Sequence, residues 1–183
     1  MKHNTYKQIR EGLASPNDPL FGGSLAYLTL DSSLSLLKKL LLIKAQKDTE
    51  RASTFLKLNT IIDSVREDAY EYIEKDGDIF AYMTSHRKEN IDSFLIVEAR
   101  KVAAMIDNIN TIKMFVAFLI TEIKGSLKND FIMINSNLAT VQENLKGIFK
   151  YEVSKIKDTE QKEALEMLIL SMYMFGFLYR NSV

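Results

Sequence analysis

Cysteine and tryptophan are absent from the 183 residues, and proline (two), histidine (two) and glycine (seven) are scarce. Without cysteine there is no disulfide, thiol nucleophile, iron–sulfur cluster or cysteine-based zinc site. The two histidines, His3 and His86, stand far apart. A di-iron bundle needs glutamate three residues before histidine, twice, and position 83 is Met83. No metal or other cofactor is therefore expected. No nucleophile elbow accompanies the histidines, so the chain reads as non-catalytic. An excess of charge is missing too, because 24 basic residues balance 24 acidic ones. A chain dominated by nucleic-acid backbone or anionic lipid should carry a basic excess. Long apolar runs are also lacking. The longest free of charge, Met167 to Tyr179, has thirteen residues, whereas a membrane span takes about 18 to 20. No membrane span is expected, the polar stretch Met1 to Arg10 does not read as a signal peptide, and cytoplasmic is the default location.

What remains is helical pattern. Both prolines fall in Ser15-Pro16-Asn17-Asp18-Pro19-Leu20-Phe21-Gly22-Gly23-Ser24, and the chain after Ser24 is free of proline. With apolar residues recurring every three or four positions, this predicts an all-α fold. The expected architecture is a single-domain irregular bundle of six to eight helices over residues 1–183. Residues 1–23 form a less regular N-terminal helix and a Pro/Gly loop. Leu30, Leu34, Leu37 and Leu41 mark the first long helix, with a short strand at Leu25 to Asp31 as an alternative. Phe55, Leu58, Ile62, Val65, Ala69 and Tyr72 form a heptad-like seam on the next. Asp76-Gly77-Asp78 is expected to stop that helix, with a short one following to about Ser85. Asn108 to Thr111 is expected to cap another helix, and Gly125 to close it. Leu138, Val141, Leu145, Phe149 and Ile156 mark a further one. Asp158-Thr159-Glu160-Gln161 has the spacing of a capping box opening the last.

Several groups are candidates for function. Gly22-Gly23-Ser24 could cradle a phosphate, although Ser24 reads more simply as an N-cap. Asp63, Glu67 and Glu71 follow one another at i, i+4 and could hold a cation or a basic partner, or simply face water. Lysines gather at Lys38 and Lys39, and again at Lys146 and Lys150 beside Phe149 and Tyr151. These raise weak single-stranded nucleic-acid contact as an alternative. The last helix is apolar almost all round, with Met174 and Phe177 on its second face. It is either a central core helix or an interface to a protein partner or a second copy, as in a homodimer. The leading expectation is a non-catalytic interaction module: a regulator, inhibitor or small assembly subunit. The alternatives are a nucleic-acid-associated subunit and a ligand-sensing or enzymatic domain with an internal apolar pocket.

Overall fold

The computed structural model describes residues 6–18 and 20–180, with side chains between 7 and 171. These residues form six helices and no strand: α1 (Tyr6–Ala14), α2 (Gly22–Lys47), α3 (Ala52–Ser85), α4 (Asp92–Glu122), α5 (Leu127–Lys155) and α6 (Thr159–Arg180). The fold is an all-α bundle.

Short connections make consecutive long helices antiparallel neighbours. Along α2 from Tyr27 through Asp31 to Lys38, the partners on α3 run backward from Tyr72 through Arg66 to Asp63. The same reversal relates α3 to α4, where Arg51 meets Glu122 and Tyr72 meets Glu98. α2 packs on α3 and α5, α5 packs on α4, and α6 lies against α4 and α5. Each long helix contributes a stripe spaced three and four residues apart. Examples are Leu30, Leu34, Leu37 and Leu41 on α2, and Phe55, Leu58, Ile62 and Val65 on α3, all buried. α4 is long and apolar enough to cross a membrane by length and composition. In the bundle, its Leu95, Ala99, Val102, Ile109, Ile112 and Val116 are buried in the shared core.

Three expected boundaries are corrected. α3 runs unbroken through Asp76-Gly77-Asp78, and Gly77 is buried within the helix. A mid-helix glycine costs about 1 kcal/mol, which the in-phase packing of Tyr72, Ile79 and Met83 outweighs. α4 likewise continues through Asn108 to Thr111, because Ile109, Ile112 and Val116 carry its buried stripe across that polar stretch. Asn110 spends its side chain between helices, accepting from the Gln142 amide on α5. Ser24 is not the N-cap of α2. Phe21 holds that position, and Ser24 Oγ accepts from the Phe21 amide at 3.4 Å from within the first turn. Leu25 to Asp31 is helix throughout.

Other boundaries follow the sequence. Gly125, at φ +81°, ends the α4–α5 connection in the left-handed region. Asp158 Oδ1 accepts from the Gln161 amide at 3.1 Å, the forward half of a capping box. Asp92 on α4 takes the reverse role. Its carboxylate accepts from the amides of Lys157 (3.0 Å) and Asp158 (2.7 Å), tying the start of α6 to the start of α4.

Candidate functional site

One member of the acidic row, Asp63, and one of the first lysine pair, Lys38, are joined. Asp63 on α3 accepts from Lys38 on α2 at 2.6 Å and from Arg66 at 3.4 Å. Arg66 reaches on to Asp31 at 3.2 Å and Ser35 at 2.9 Å. The charges thus clasp α2 to α3, and the side chains of Asp63 and Lys38 are turned toward each other. Glu67 is exposed, and Glu71 is exposed with Lys75 at 3.4 Å. Lys39 and Lys150 are exposed, whereas Lys146 is buried and bonded to Glu143 at 2.6 Å. Lys38 and Lys146 are thus each engaged by an acid, while Lys39 and Lys150 face solvent. Met174 and Phe177 lie outside the residues whose side chains are described.

The distinctive chemistry lies at the end of the bundle where α2 and α4 begin and α3 and α5 finish. Here the apolar stripes are interrupted by a polar layer. Tyr27 comes from α2, Tyr72 and Asp76 from α3, Glu98 from α4 and Glu152 from α5. The Tyr72 hydroxyl donates to Glu98 Oε2 at 2.6 Å. Lys75 and Lys101 each lie 3.3 Å from the same carboxylate. Burial pushes Glu98 upward, but the Tyr72 bond and the two lysines together hold it below the ordinary carboxylate range.

Asp76 has a different donor. The backbone amide of Ser24 donates to it, and Gly23 packs so closely that a methyl group there would overlap the carboxylate. The glycine pair opening α2 thus presents the positive end of that helix to an anion supplied by the chain itself. Burial still pushes Asp76 up to about 6.

Glu152 has no such support. It is 2% exposed, and its Oε2 makes no hydrogen bond; the buried Tyr27 hydroxyl is also without one. Burial first, then the charges of Glu98 and Asp76, push Glu152 up to about 8. The same burial and the acids around it raise the Tyr27 phenol well above its ordinary value.

Asp76 and Glu152 line a cleft of about 690 Å³ between α2, α3 and α5. Its walls are otherwise largely apolar, including Leu25, Ile79, Met83 and Ile148. Three aromatic rings form its rim. Phe80 lies 5.5 Å from Phe21 and stacks on Tyr151 with centroids 6.3 Å apart, and all three are about half exposed. Gly147, a glycine inside α5, leaves open space where a side chain would stand. Among the described residues, no set of histidines and carboxylates is gathered closely enough to hold a metal ion.

Sequence reasoning did not single out Asp76, Glu98 or Glu152. Their signal was register. Asp76 continues the α3 seam after Tyr72, followed by Ile79 and Met83 at spacings of four, three and four. Glu152 falls between Phe149 and Ile156 in the same phase, and Glu98 between Leu95 and Val102. A carboxylate at a core position of three neighbouring helices is the pattern that marks this layer. No protein-family profile, curated protein or solved structure matches the chain.

Proposed function

We propose that this chain is a non-catalytic helical binding domain whose working site is the cleft between α2, α3 and α5, and that it takes a small molecule with an apolar body. The observation that carries this reading is the cleft itself, with about 690 Å³ of space behind an exposed aromatic rim. Small-molecule sites typically enclose about 300 to 1,000 Å³ and combine apolar walls with a few placed polar groups. The described lining fits that composition. It holds no histidine, serine or lysine to act as a nucleophile or to stabilise an oxyanion.

The test is ligand-induced thermal stabilisation across a panel of small apolar and amphiphilic compounds, run in parallel on Gly147→Phe. That substitution places a ring in the open space of the cleft. Compounds that raise the melting temperature of the wild type should lose their effect in the variant. Equal stabilisation of both proteins would place binding elsewhere and overturn the reading.

A second reading, a protein contact, is favoured by α6. Met167, Leu168 and Leu170 are exposed on it, Met167 at 65% and Leu170 at 53%. Adjacent apolar side chains of this kind suit association with a partner or a second copy of the chain. The acidic residues Glu67 and Glu71 remain available to a basic partner, whereas Asp63 is already paired.

A further inference from the structure

Resting on the cleft as a ligand site, we infer that its ligand is an organic cation: an apolar aliphatic or aromatic body carrying one ammonium group that pairs with Glu152. Four observations converge on this class. Glu152 is buried, lines the cleft and leaves Oε2 without a hydrogen bond. A buried carboxylate in that condition is strongly unfavourable unless it is protonated or meets a positive donor.

The neighbouring acids already have theirs. Glu98 is bonded by Tyr72 and flanked by Lys75 and Lys101, and Asp76 faces the amide end of α2. Were all three layer carboxylates ionised, two lysines would leave one negative charge unmatched on the side of the cleft; the proton on Glu152 avoids that charge while the cleft is empty. The described lining carries Asp76, Glu143 and Glu152 and neither lysine nor arginine, so an anionic ligand would meet repulsion. The rim adds affinity of the right sign, because the half-exposed rings of Phe21 and Phe80 attract cations. The Tyr151 ring is already taken by Lys155, whose ammonium lies 4.9 Å from its centroid, so the rings left to a ligand cation are those of Phe21 and Phe80.

The groups around the pair determine how binding depends on pH. They are Tyr27 on α2, Tyr72 and Asp76 on α3 and Glu98 on α4, with Lys75 and Lys101 held on the Glu98 carboxylate. Glu152 holds its proton in the empty cleft near neutrality because burial and the nearby acids favour the neutral form. An ammonium ion entering the cleft favours the carboxylate. The proton leaves to solvent, and the product is an ammonium–carboxylate pair.

The experiment is calorimetric titration of the full chain with three probes of matched shape: phenylbutylamine, phenylbutanol and phenylbutyrate. The amine should bind at least about tenfold more tightly than the alcohol, and the acid most weakly. At about pH 7, titrations in two buffers of different ionisation heat should show release of close to one proton with the amine and none with the alcohol. Glu152→Gln should weaken the amine by about thirtyfold or more, abolish the proton release and leave the alcohol unchanged. Asp76→Asn is the second variant, expected to weaken the amine more modestly, and circular dichroism verifies that both are folded.

Equal affinity for amine and alcohol, or an amine affinity untouched by Glu152→Gln, would overturn the cation assignment. In that event, loss of alcohol binding in Gly147→Phe would still support the cleft as a ligand site. Amine binding that survives Gly147→Phe would overturn both.

Discussion

Gly23 and Asp76 are locked together: the first turn of α2 approaches α3 so closely that only a hydrogen fits between the glycine backbone and the carboxylate. This contact fixes how the two helices meet beside the cleft. Gly23→Ala would gain helix propensity, worth at most about 1 kcal/mol. The added methyl must push the Asp76 carboxylate off the Ser24 amide, and a charge-assisted hydrogen bond is worth about 1.5 to 3 kcal/mol. The expected result is net destabilisation of roughly 1 kcal/mol, read by urea or thermal unfolding. In an Asp76→Ala background the obstacle is gone, and Gly23→Ala should become neutral or stabilising. The same loss in both backgrounds would show that the close approach is not the cause.

A second expectation concerns pH. In the folded chain Glu152 is pushed up to about 8, from an ordinary value of 4.5, and Asp76 up to about 6, from 3.8. Each therefore keeps its proton in the fold over a range where the unfolded chain has released it. Stability is undiminished below the unfolded values and falls as pH rises, through about 6 for Asp76 and about 8 for Glu152. Glu98 acts in the opposite sense. Despite its burial it is held below the ordinary range by Tyr72, Lys75 and Lys101, so its contribution is lost as acid protonates it. The melting temperature should peak in mildly acidic solution and decline by at least about 5 °C toward pH 8. Glu152→Gln should remove most of that decline. A flat profile for the wild type between those limits would contradict the buried, unpaired state of Glu152.

The legible part of the fold is the part governed by period. The apolar stripes of α2, α3, α4 and α5 are visible in the sequence because every third or fourth residue is large and apolar. The forward half of the α6 cap is equally local, depending on Asp158 and an amide three residues on. What escaped depends on partners distant in sequence. Gly77 resembles a helix stop until the seam on both sides of it is packed against neighbouring helices. Asp92 resembles an ordinary first-turn acid, yet it caps a helix 65 residues later. Asp63 resembles part of a repulsive row because its lysine, Lys38, belongs to another helix 25 residues earlier. The cleft was hidden for the same reason. Asp76 and Glu152 look unremarkable alone, and only the antiparallel register brings them to one level with Glu98.

The third expectation separates the members of the acidic row. Glu67→Gln and Glu71→Gln remove exposed charges with little or no fixed pairing, and stability should change by less than about 0.5 kcal/mol. Asp63→Asn breaks a carboxylate shared between Lys38 and Arg66 that joins two helices. Because Asp63 is partly exposed, solvent screening limits the effect to about 1 kcal/mol, decreasing at high salt. Unfolding curves at low and high salt check this. If Asp63→Asn proved as silent as Glu67→Gln, the clasp would contribute nothing.

The last expectation concerns α6, where buried and exposed apolar residues alternate within one helix. Leu165 and Ile169 are buried, while Met167, Leu168 and Leu170 face outward. An aspartate at an outward position keeps its charge in water and should cost the folded chain little, so Met167→Asp and Leu170→Asp should give normal helical circular dichroism. Ile169→Asp places an unpaired carboxylate in the core, costs several kcal/mol and should give unfolded or insoluble protein. If the outward residues form a contact between copies, light scattering should show an oligomer for the wild type and a monomer for Met167→Asp and Leu170→Asp. If they receive a different protein, the wild type should be monomeric, and a retained partner should be lost in the same two variants. A wild type that is monomeric at high concentration and retains no partner would dismiss α6 as an interface and leave the proposed site at the cleft between α2, α3 and α5.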